Sequence, residues 1–281
     1  MCYRNLPFDN EITIIIPLYK TPIKKINLIK QYKNFKVLVL DQCPEKKTKQ
    51  KIQNLNIEYY SSKKNLGLSK ATNFLLNKVK TKYSLFTQAD IEISFKSIEL
   101  LKLAIEKRKD TIFAGPKFIK DKSINIFLES ANYKIVNNLN AACMLCDTAK
   151  LKKIGFFDED FFLYWEDIFL MNKINKSNYK MIFVPNAKAI HAGGESTDDN
   201  YKIKFIRTSN FKYGEFLYDH KMNKLRIIKV MRQLFQSILF LLLNILTFNF
   251  PKILKFLAFI LGIIKFLKFI LIKKFFYLLN F

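Results

Sequence analysis

Four short apolar runs near the start of the chain restrict its fold more than any other feature of the sequence. Each run is four or five residues long and rich in β-branched or aromatic side chains, and they occupy residues 12–16, 37–40, 57–60 and 83–86. Runs of this length and composition are typical of strands that are buried on both faces. The stretches between them are long enough for helices, and they cover residues 22–33, 45–54 and 66–79.

Strands that alternate with helices in this order predict an α/β fold with a parallel sheet and right-handed crossovers. After residue 110 the pattern is less regular and predicts strands at 112–114, 141–146 and 181–184 and helices at 165–176 and 201–218. Ligands bind such sheets at the carboxyl ends of the strands. The segments in which a site is expected are therefore 17–19, Asp41, 61–70 and 88–92.

Basic residues are unevenly distributed and indicate a separate C-terminal segment. The chain has 48 Lys and Arg against 23 Asp and Glu, a net charge of +25, and residues 220–281 contain eleven basic and no acidic side chains. Phe, Leu and Ile fill the positions between these basic residues. Proteins that bind single-stranded nucleic acid place aromatic side chains on a folded groove rather than along a continuous apolar run. The tail therefore favours an anionic membrane surface over nucleic acid as its partner.

The sequence leaves open whether this tail crosses the membrane. Residues 233–251 carry no charge and approach the ~20 residues that a spanning helix needs, but they include five Gln, Ser and Asn side chains and end at Pro251. After Pro251 lysines recur every few residues, which suits helices that lie in the headgroup plane. We expect in-plane helices, with a re-entrant or spanning hairpin as the alternative. The expected organisation is a folded domain at 11–220 and a membrane-associated tail at 221–281.

The cysteines and the N-terminal residues favour a reducing compartment. Four cysteines, at positions 2, 43, 143 and 146, are too few and too uneven for a secreted disulfide framework. Cys143 and Cys146 form a lone C-x-x-C inside an apolar run, which predicts buried core cysteines rather than a zinc site. The N-terminal residues lack the order of a signal peptide, so we expect the folded domain in the cytoplasm.

Common phosphate-binding loops are absent from the sequence. It contains no G-x-x-x-x-G-K-[ST] and no G-x-G-x-x-G, and the expected ligand loop at 65–70 has a single glycine. Nucleotide hydrolases with a P-loop and dehydrogenases with a dinucleotide fingerprint therefore lose their main support.

Three carboxylates and one histidine are the candidate catalytic or metal-binding residues. Asp90 follows a buried strand, where it could hold a divalent cation that bridges a diphosphate, or could be a solvated loop residue. Glu166 and Asp167 follow an aromatic-rich stretch, which suits either a general base with a raised pKa or the acidic start of a helix. His191 begins a glycine-rich turn and is either a loop residue or, with Asp90, a ligand that suits Mn²⁺ or Mg²⁺.

Five motifs in this order resemble a family-2 glycosyltransferase of the GT-A fold. The motifs are I-I-I-P-L-Y-K at 14–20, V-L-D at 39–41, N-L-G-L-S-K-A-T-N at 65–73, Q-A-D at 88–90 and G-F-F-D-E-D-F-F-L-Y-W-E-D at 155–167. The last is similar to a stretch found in the rhamnosyltransferase-like branch of the family. The resemblance covers roughly residues 11–197. It implies a nucleotide-sugar-binding GT-A fold, a mostly parallel sheet flanked by helices, followed here by a basic apolar helical tail.

The resemblance also implies roles for particular residues. The donor, a UDP- or dTDP-sugar, would be bound by Pro17, Tyr19, Asp41, Asn65, Gly67, Lys70 and Asp90. Asp41 would contact the pyrimidine base, and Lys70 the diphosphate. Mn²⁺ or Mg²⁺ would be held by Asp90 with His191.

Transfer with inversion is the reaction that the resemblance implies. Asp167 would take the proton from an acceptor hydroxyl, Glu166 would orient the acceptor or the base, and the two could exchange roles. Trp165 and Tyr164 would contact the acceptor. The acceptor would be a lipid-linked or cell-surface glycan, extended at the cytoplasmic face of a bacterial inner membrane by a peripheral or monotopic enzyme.

Three alternatives accompany this interpretation. A polyprenyl-phosphate sugar synthase shares the fold and a membrane-associated tail. A catalytically silent relative that scaffolds glycan assembly is suggested by Gln88, which replaces the first Asp of D-x-D, and by Phe169, which replaces an Asp of the branch motif. A basic nucleic-acid-binding protein is the third.

Overall fold

The computed structural model describes residues 9–53, 57–120, 132–191 and 200–279, and its packing divides the chain into two compact units. The first, here called the sheet unit, comprises Met1–Asp158 and Asp167–Asp198. The second, here called the helical unit, comprises Glu159–Glu166 and Asp199–Phe281. The boundary expected at residue 220 from the sequence falls inside the helical unit.

Nine strands form one mixed sheet in the described part of the sheet unit. They are β1 (Asp9–Tyr19), β2 (Phe35–Gln42), β3 (Glu58–Ser62), β4 (Tyr83–Thr87), β5 (Ile91–Ile93), β6 (Thr111–Ile119), β7 (Lys134–Val136), β8 (Cys143–Asp147) and β9 (Lys180–His191). The order is β3-β2-β1-β4-β8-β6-β9-β5, with β7 paired to β9. Strands β1 to β4 are parallel, as is the β6–β9 pair, whereas β5, β7 and β8 run antiparallel to their neighbours.

Helices flank this sheet and form most of the helical unit. In the sheet unit they are α1 (Ile23–Ile26), which continues into a 3-10 helix (Asn27–Tyr32), α2 (Lys46–Gln53), α3 (Leu68–Leu76), α4 (Phe95–Lys107), α5 (Thr148–Ile154) and α6 (Glu166–Asn175). Helix α6 begins at the last residue of the helical unit's first segment. The helical unit continues with α7 (Tyr201–Lys221), α8 (Ile227–Leu246) and α9 (Phe250–Leu279).

The four apolar runs all form strands, and β1, β2 and β4 are buried on both faces as predicted. Strand β3 is partly exposed because it lies at the edge of the sheet, so the prediction that it is buried on both faces is wrong. Alternate residues of β1 enter opposite layers of the core, with Ile14 and Ile16 in one and Ile15 in the other. Residues of α4 pack in the first layer and residues of α3 in the second. The α/β architecture with flanking helices and a C-terminal helical tail is therefore confirmed, and the mixed strand directions refine it.

Strand β5 and helix α4 are elements that the sequence pattern does not predict. Strand β5 has three residues, too few for a recognisable pattern, and the side chain of Gln31 pairs with its backbone. Gln31 Nε2 donates to the Ile91 carbonyl at 2.8 Å, and Gln31 Oε1 accepts from the Ile93 N–H at 2.8 Å. Helix α4 begins after Ser94, whose hydroxyl accepts the Ser97 N–H as an N-cap.

Close backbone packing joins α7 to α9 in the helical unit. A Cβ added to Gly262 would lie 2.4 Å from the carbonyl oxygen of Ser209, so α9 can approach α7 this closely only with glycine at that position. Ala258, Ile263 and Phe266 of α9 are buried. The second half of the tail therefore packs on α7 along one face.

Asn73 of α3 holds the backbone of Phe157, 84 residues later in the chain. Its Nδ2 donates to the Phe157 carbonyl at 2.8 Å, and its Oδ1 accepts the Phe157 N–H at 3.1 Å. All of these groups are buried, so the side chain satisfies a backbone donor and acceptor that water cannot reach.

We expect Asn73→Ala to lower the free energy of unfolding by about 2 kcal/mol, because it leaves the Phe157 N–H and carbonyl buried without partners. Urea titration followed by circular dichroism measures the change. Asn77→Ala, an exposed residue at the end of the same helix, is the matched control and should have little effect. Equal effects of the two substitutions would contradict this role for Asn73.

Candidate active site

The ends of β1 and β2 place the expected donor-binding residues side by side. Strands β1 and β2 are parallel and in register, so that Leu18 pairs with Asp41. Pro17 and Tyr19 flank Leu18 and are half-buried, whereas Asp41 is buried. The three side chains predicted from sequence therefore belong to one edge of the sheet.

Asp41 is a buried carboxylate that accepts a hydrogen bond from a tyrosine. The Tyr59 hydroxyl donates to its Oδ2 at 3.3 Å. Burial raises the pKa of Asp41 to about 6, the Tyr59 hydrogen bond lowers it, and the negative charge of Glu45 raises it further. A carboxylate in this position can accept a hydrogen bond from a ligand N–H, and above that pKa it does so with a full charge.

Gln42 is a structural residue of the site that the sequence pattern does not predict. Its Nε2 donates to the Leu18 carbonyl at 3.4 Å, and its Oε1 accepts the Leu66 N–H at 2.7 Å. This side chain ties the end of β1 to the loop before α3. The one available signal is its place directly after Asp41, as a second polar residue at the end of a buried strand.

The loop before α3 has the turn that its sequence requires. Asn65 Oδ1 accepts the Gly67 N–H at 3.0 Å, and Gly67 has a φ of +83°, in the region that favours glycine. Lys70 is exposed in the first turn of α3. The Ser69 hydroxyl is buried and has no hydrogen-bond partner among the described residues.

Asp90 and His191 lie together, although they are 101 positions apart in the sequence. Asp90 lies in the turn between β4 and β5, and His191 ends β9, where it pairs with Ile91. His191 Nε2 is 3.6 Å from Asp90 Oδ2. The His191 ring also packs against Phe118, with ring centroids 5.8 Å apart. The short β5–β9 pairing is thus what brings the two predicted metal ligands together.

The Asp90 carboxylate has the character of a cation ligand. Its side chain is fully buried, and neither oxygen has a hydrogen-bond partner among the described residues. A buried carboxylate without such partners is costly unless a cation faces it. The described ranges contain no group of three or more His, Cys, Asp or Glu side chains that could hold a metal. The donor set therefore fits Mg²⁺ or Mn²⁺ held by one carboxylate, with other ligands from a phosphate or water.

Asp167 and Glu166 are consecutive at the start of α6 but belong to different units. Asp167, in the sheet unit, is half-buried, and its Oδ1 accepts the Ile168 N–H at 2.8 Å. Burial raises the pKa of Asp167, and this backbone hydrogen bond lowers it. Glu166, in the helical unit, is 4% exposed. A carboxylate whose pKa is raised toward neutrality has the character of a general base.

Tyr164 and Trp165 both have a left-handed backbone, with φ of +70° and +72°. The Trp165 indole N–H donates to the Phe211 carbonyl at 3.1 Å, and its ring centroid lies 5.5 Å from that of Phe211 and 5.3 Å from that of Tyr218. The Tyr164 ring also packs against Phe211, at 5.8 Å. Both side chains that the sequence assigns to the acceptor are thus held by α7.

The C-x-x-C pair lies in the core, as the sequence predicts. Cys143 and Cys146 are fully buried in β8, and burial raises the pKa of each thiol to about 12. The Cys146 Sγ lies 2.9 Å from the Ser84 hydroxyl. These thiols are structural, and neither belongs to the candidate site.

Comparisons with known proteins identify the class. The family model "Glycosyl transferase family 2" matches residues 13–171, more than half of the chain, so the chain belongs to glycosyl transferase family 2. The matched residues include all five sequence motifs, from the first strand to Asp167. The family-2 assignment made from sequence is therefore confirmed.

Similar proteins support this assignment and the fold. A 59-residue stretch is 32% identical to the N-acetylglucosaminyl-diphospho-decaprenol L-rhamnosyltransferase of Mycobacterium tuberculosis, covering 21% of this chain and 19% of that protein. The Pyrobaculum calidifontis mannosyltransferase PcManGT, solved with GDP-Man and Mn²⁺, has a TM-score of 0.54 at 17% identity, over 75% of this chain and 64% of that one. S. aureus TarS 1–349, solved with UDP-GlcNAc, has a TM-score of 0.52 at 18% identity, over 73% and 66%. These structures confirm the GT-A fold.

We expect Asp41→Asn to be more stable than wild type at pH 7. Because the folded-state pKa of about 6 exceeds the ordinary value of 3.8, the unfolded chain releases its proton first as the pH rises. The wild type should therefore lose stability between about pH 4 and 6 and stay constant above, and Asp41→Asn should lack this loss.

Urea unfolding at a series of pH values measures the difference. Tyr59→Phe is the informative companion, because it removes the hydrogen bond that lowers the pKa of Asp41 and should extend the loss to higher pH. Identical pH profiles for wild type and Asp41→Asn would show that Asp41 titrates normally.

Proposed function

We propose that this family-2 glycosyltransferase transfers a sugar, with inversion, from a UDP- or dTDP-sugar to a hydroxyl of a lipid-linked or cell-surface glycan. The observation that carries the proposal is the buried Asp90 carboxylate, unpartnered by hydrogen bonds and 3.6 Å from His191, in the same unit as Asp41 and Asp167. In this proposal Asp41 binds the nucleobase, Asp90 is the cation ligand and Asp167 is the general base. The solved relatives that bind UDP-GlcNAc or GDP-Man with Mn²⁺ support a nucleotide sugar as the donor.

Donor binding in this proposal uses the sheet edge and the loop before α3. Asp41 accepts a hydrogen bond from the pyrimidine ring, and Pro17 and Tyr19 border the same strand ends. The Asn65–Gly67 turn positions the start of α3, where Lys70 is exposed and free to approach the diphosphate. A bound Mg²⁺ or Mn²⁺ held by Asp90 with His191 would neutralise charge on the departing nucleoside diphosphate.

Transfer in this proposal is a single displacement. Asp167 accepts the proton of the acceptor hydroxyl, the hydroxyl oxygen forms a bond to the anomeric carbon, and the bond from that carbon to the diphosphate breaks. Inversion follows because attack and departure occur on opposite faces of the sugar. Glu166 orients the acceptor or the base, and Tyr164 and Trp165 border the acceptor. The 59-residue similarity to the N-acetylglucosaminyl-diphospho-decaprenol L-rhamnosyltransferase supports an acceptor that is linked to a lipid diphosphate.

In this proposal the enzyme lies at the cytoplasmic face of a bacterial inner membrane, and the helical unit makes the membrane contact. Among the described helices, α8 alone is long and apolar enough to span a membrane by length and composition, and 17% of its most apolar window is buried. Leu246, the last residue of α8, and Phe248 in the following turn are exposed, at 75% and 90%. Lys252 and Lys255 are exposed in the first turns of α9. Apolar side chains beside lysines suit an anionic bilayer surface, where burial and charge attraction add.

We expect purified enzyme to release nucleotide slowly from one member of a panel of UDP- and dTDP-sugars, with water as the acceptor. Release should require Mn²⁺ or Mg²⁺ after chelation, and should fall about 100-fold or more in Asp167→Asn because the base is lost. Asp90→Ala should remove the metal dependence together with the activity. Glu99→Ala, which removes an exposed carboxylate from α4, is the control and should leave release unchanged.

Two results would count against this function. A folded wild type that neither binds UDP or dTDP nor releases nucleotide would favour the scaffold interpretation. An Asp167→Asn enzyme as active as wild type would favour transfer to a lipid phosphate, which needs less help from a base.

We expect the full-length protein to float with vesicles that contain phosphatidylglycerol, and Leu246→Ser with Phe248→Ser to weaken this binding at least about tenfold by removing buried apolar area. Replacing Lys252 and Lys255 with Gln should reduce the preference for phosphatidylglycerol over phosphatidylcholine. Leu103→Ser, at an exposed leucine of α4, is the control. Equal flotation of all the variants would exclude this surface as the membrane contact.

A further inference from the structure

The segment 159–166, just before the candidate base, is part of the helical unit and is held there at both ends. At its beginning, Asp160 Oδ2 lies 2.7 Å from Lys221 Nζ of α7 and 3.1 Å from Lys273 Nζ of α9. The Tyr213 hydroxyl donates to the Asp160 carbonyl at 3.2 Å. Burial tends to raise the pKa of Asp160, but the two lysines outweigh it and lower the pKa. The carboxylate therefore stays charged and joins the two helices to the segment.

The other end of the segment has a backbone that bulky residues rarely adopt. Tyr164 and Trp165 are consecutive and both lie in the left-handed region. For aromatic residues this conformation persists only where surrounding contacts impose it. The contacts that impose it must therefore come from the residues packed around these two side chains.

Gly214 of α7 makes the closest of these contacts possible. A Cβ at position 214 would lie 2.7 Å from Trp165 Cδ1 and 3.1 Å from the Tyr164 carbonyl oxygen. The indole also donates to the Phe211 carbonyl and packs against Tyr218. These α7 residues, Phe211, Gly214 and Tyr218, are here called the Trp165 cradle. Any side chain at 214 would displace the indole or the backbone that precedes α6.

We propose that Trp165 is a positioning residue, and that the Trp165 cradle fixes the left-handed turn from which Glu166 and Asp167 enter α6. The inference rests on the proposed function, because it assigns the direction of a candidate base. The indole N–H is already bonded to Phe211, so Trp165 acts through the backbone that it anchors.

Gly214→Ala in the full-length enzyme tests the inference. Trp165 is the single tryptophan of the chain, so its fluorescence reports the cradle directly. We expect red-shifted emission and stronger acrylamide quenching. With the most active sugar of the panel and water as acceptor, kcat should fall about 10- to 100-fold, as expected for a misplaced base, with the KM for the donor unchanged. In a Trp165→Ala background the same glycine substitution should lose most of its effect, because its main collision is gone.

Gly262→Ala is the matched control, since it adds the same methyl group to the helical unit, against Ser209, Lys212 and Tyr213 of α7 but not against Trp165. It should lower the melting temperature while sparing kcat at temperatures where the protein is folded. Equal losses of kcat in both variants, or an altered Trp165 spectrum with normal kcat, would overturn the positioning role. A rise in acceptor KM alone, measured with a soluble N-acetylglucosaminyl-diphospho-farnesol, would instead make Trp165 an acceptor-binding residue. A wild type that binds no UDP or dTDP would defeat the proposed function itself, a result read without any variant.

Discussion

Strands β1, β2 and β4 are covered by side chains on both faces, and the position of the site follows from this burial. The buried middle of such a strand admits a small hydroxyl that has a partner, as at Thr13 and Ser84, but no charged side chain, so carboxylates occur where the strand ends. Asp41 at the end of β2 and Asp90 after β4 obey this rule. Because β1, β2 and β4 are parallel neighbours, those ends share one edge. The hydrophobic layers thus determine where a charged ligand can be received.

The local pattern of apolar residues was sufficient to predict those elements whose structure depends mainly on residues close together in the sequence. Strands β1 to β4 could be predicted because each contains a short continuous apolar run, and the helices between them because the intervening stretches are long enough. The buried state of Asp41 could be anticipated, since it ends a continuous apolar run. The role of Asn73 could not, because its partner Phe157 is 84 residues away. The same holds for Gln31, which completes a strand too short to have a pattern.

The tail shows where composition stops being informative. Its apolar residues serve two environments: Ala258, Ile263 and Phe266 are buried inside the protein, whereas Leu246 and Phe248 remain exposed. Composition alone does not distinguish the protein core from a membrane-facing surface, because Phe and Leu are favoured in both environments. The close approach at Gly262 separates them, and it becomes visible only when α7 is placed beside α9. The grouping of 159–166 with these helices depends likewise on contacts that no local pattern encodes.

Helix α9 is anchored at two positions, by the backbone contact at Gly262 and by the ion pair at Lys273. Eleven residues separate them, which in a helix is about 16 Å. A helix held by two contacts this far apart resists rotation about either of them. A force on Phe250, at the start of α9, is therefore resisted at both positions, one of them the ion pair with the Asp160 carboxylate. Because Asp160 lies in the segment 159–166, a force on α9 is also transmitted to that segment.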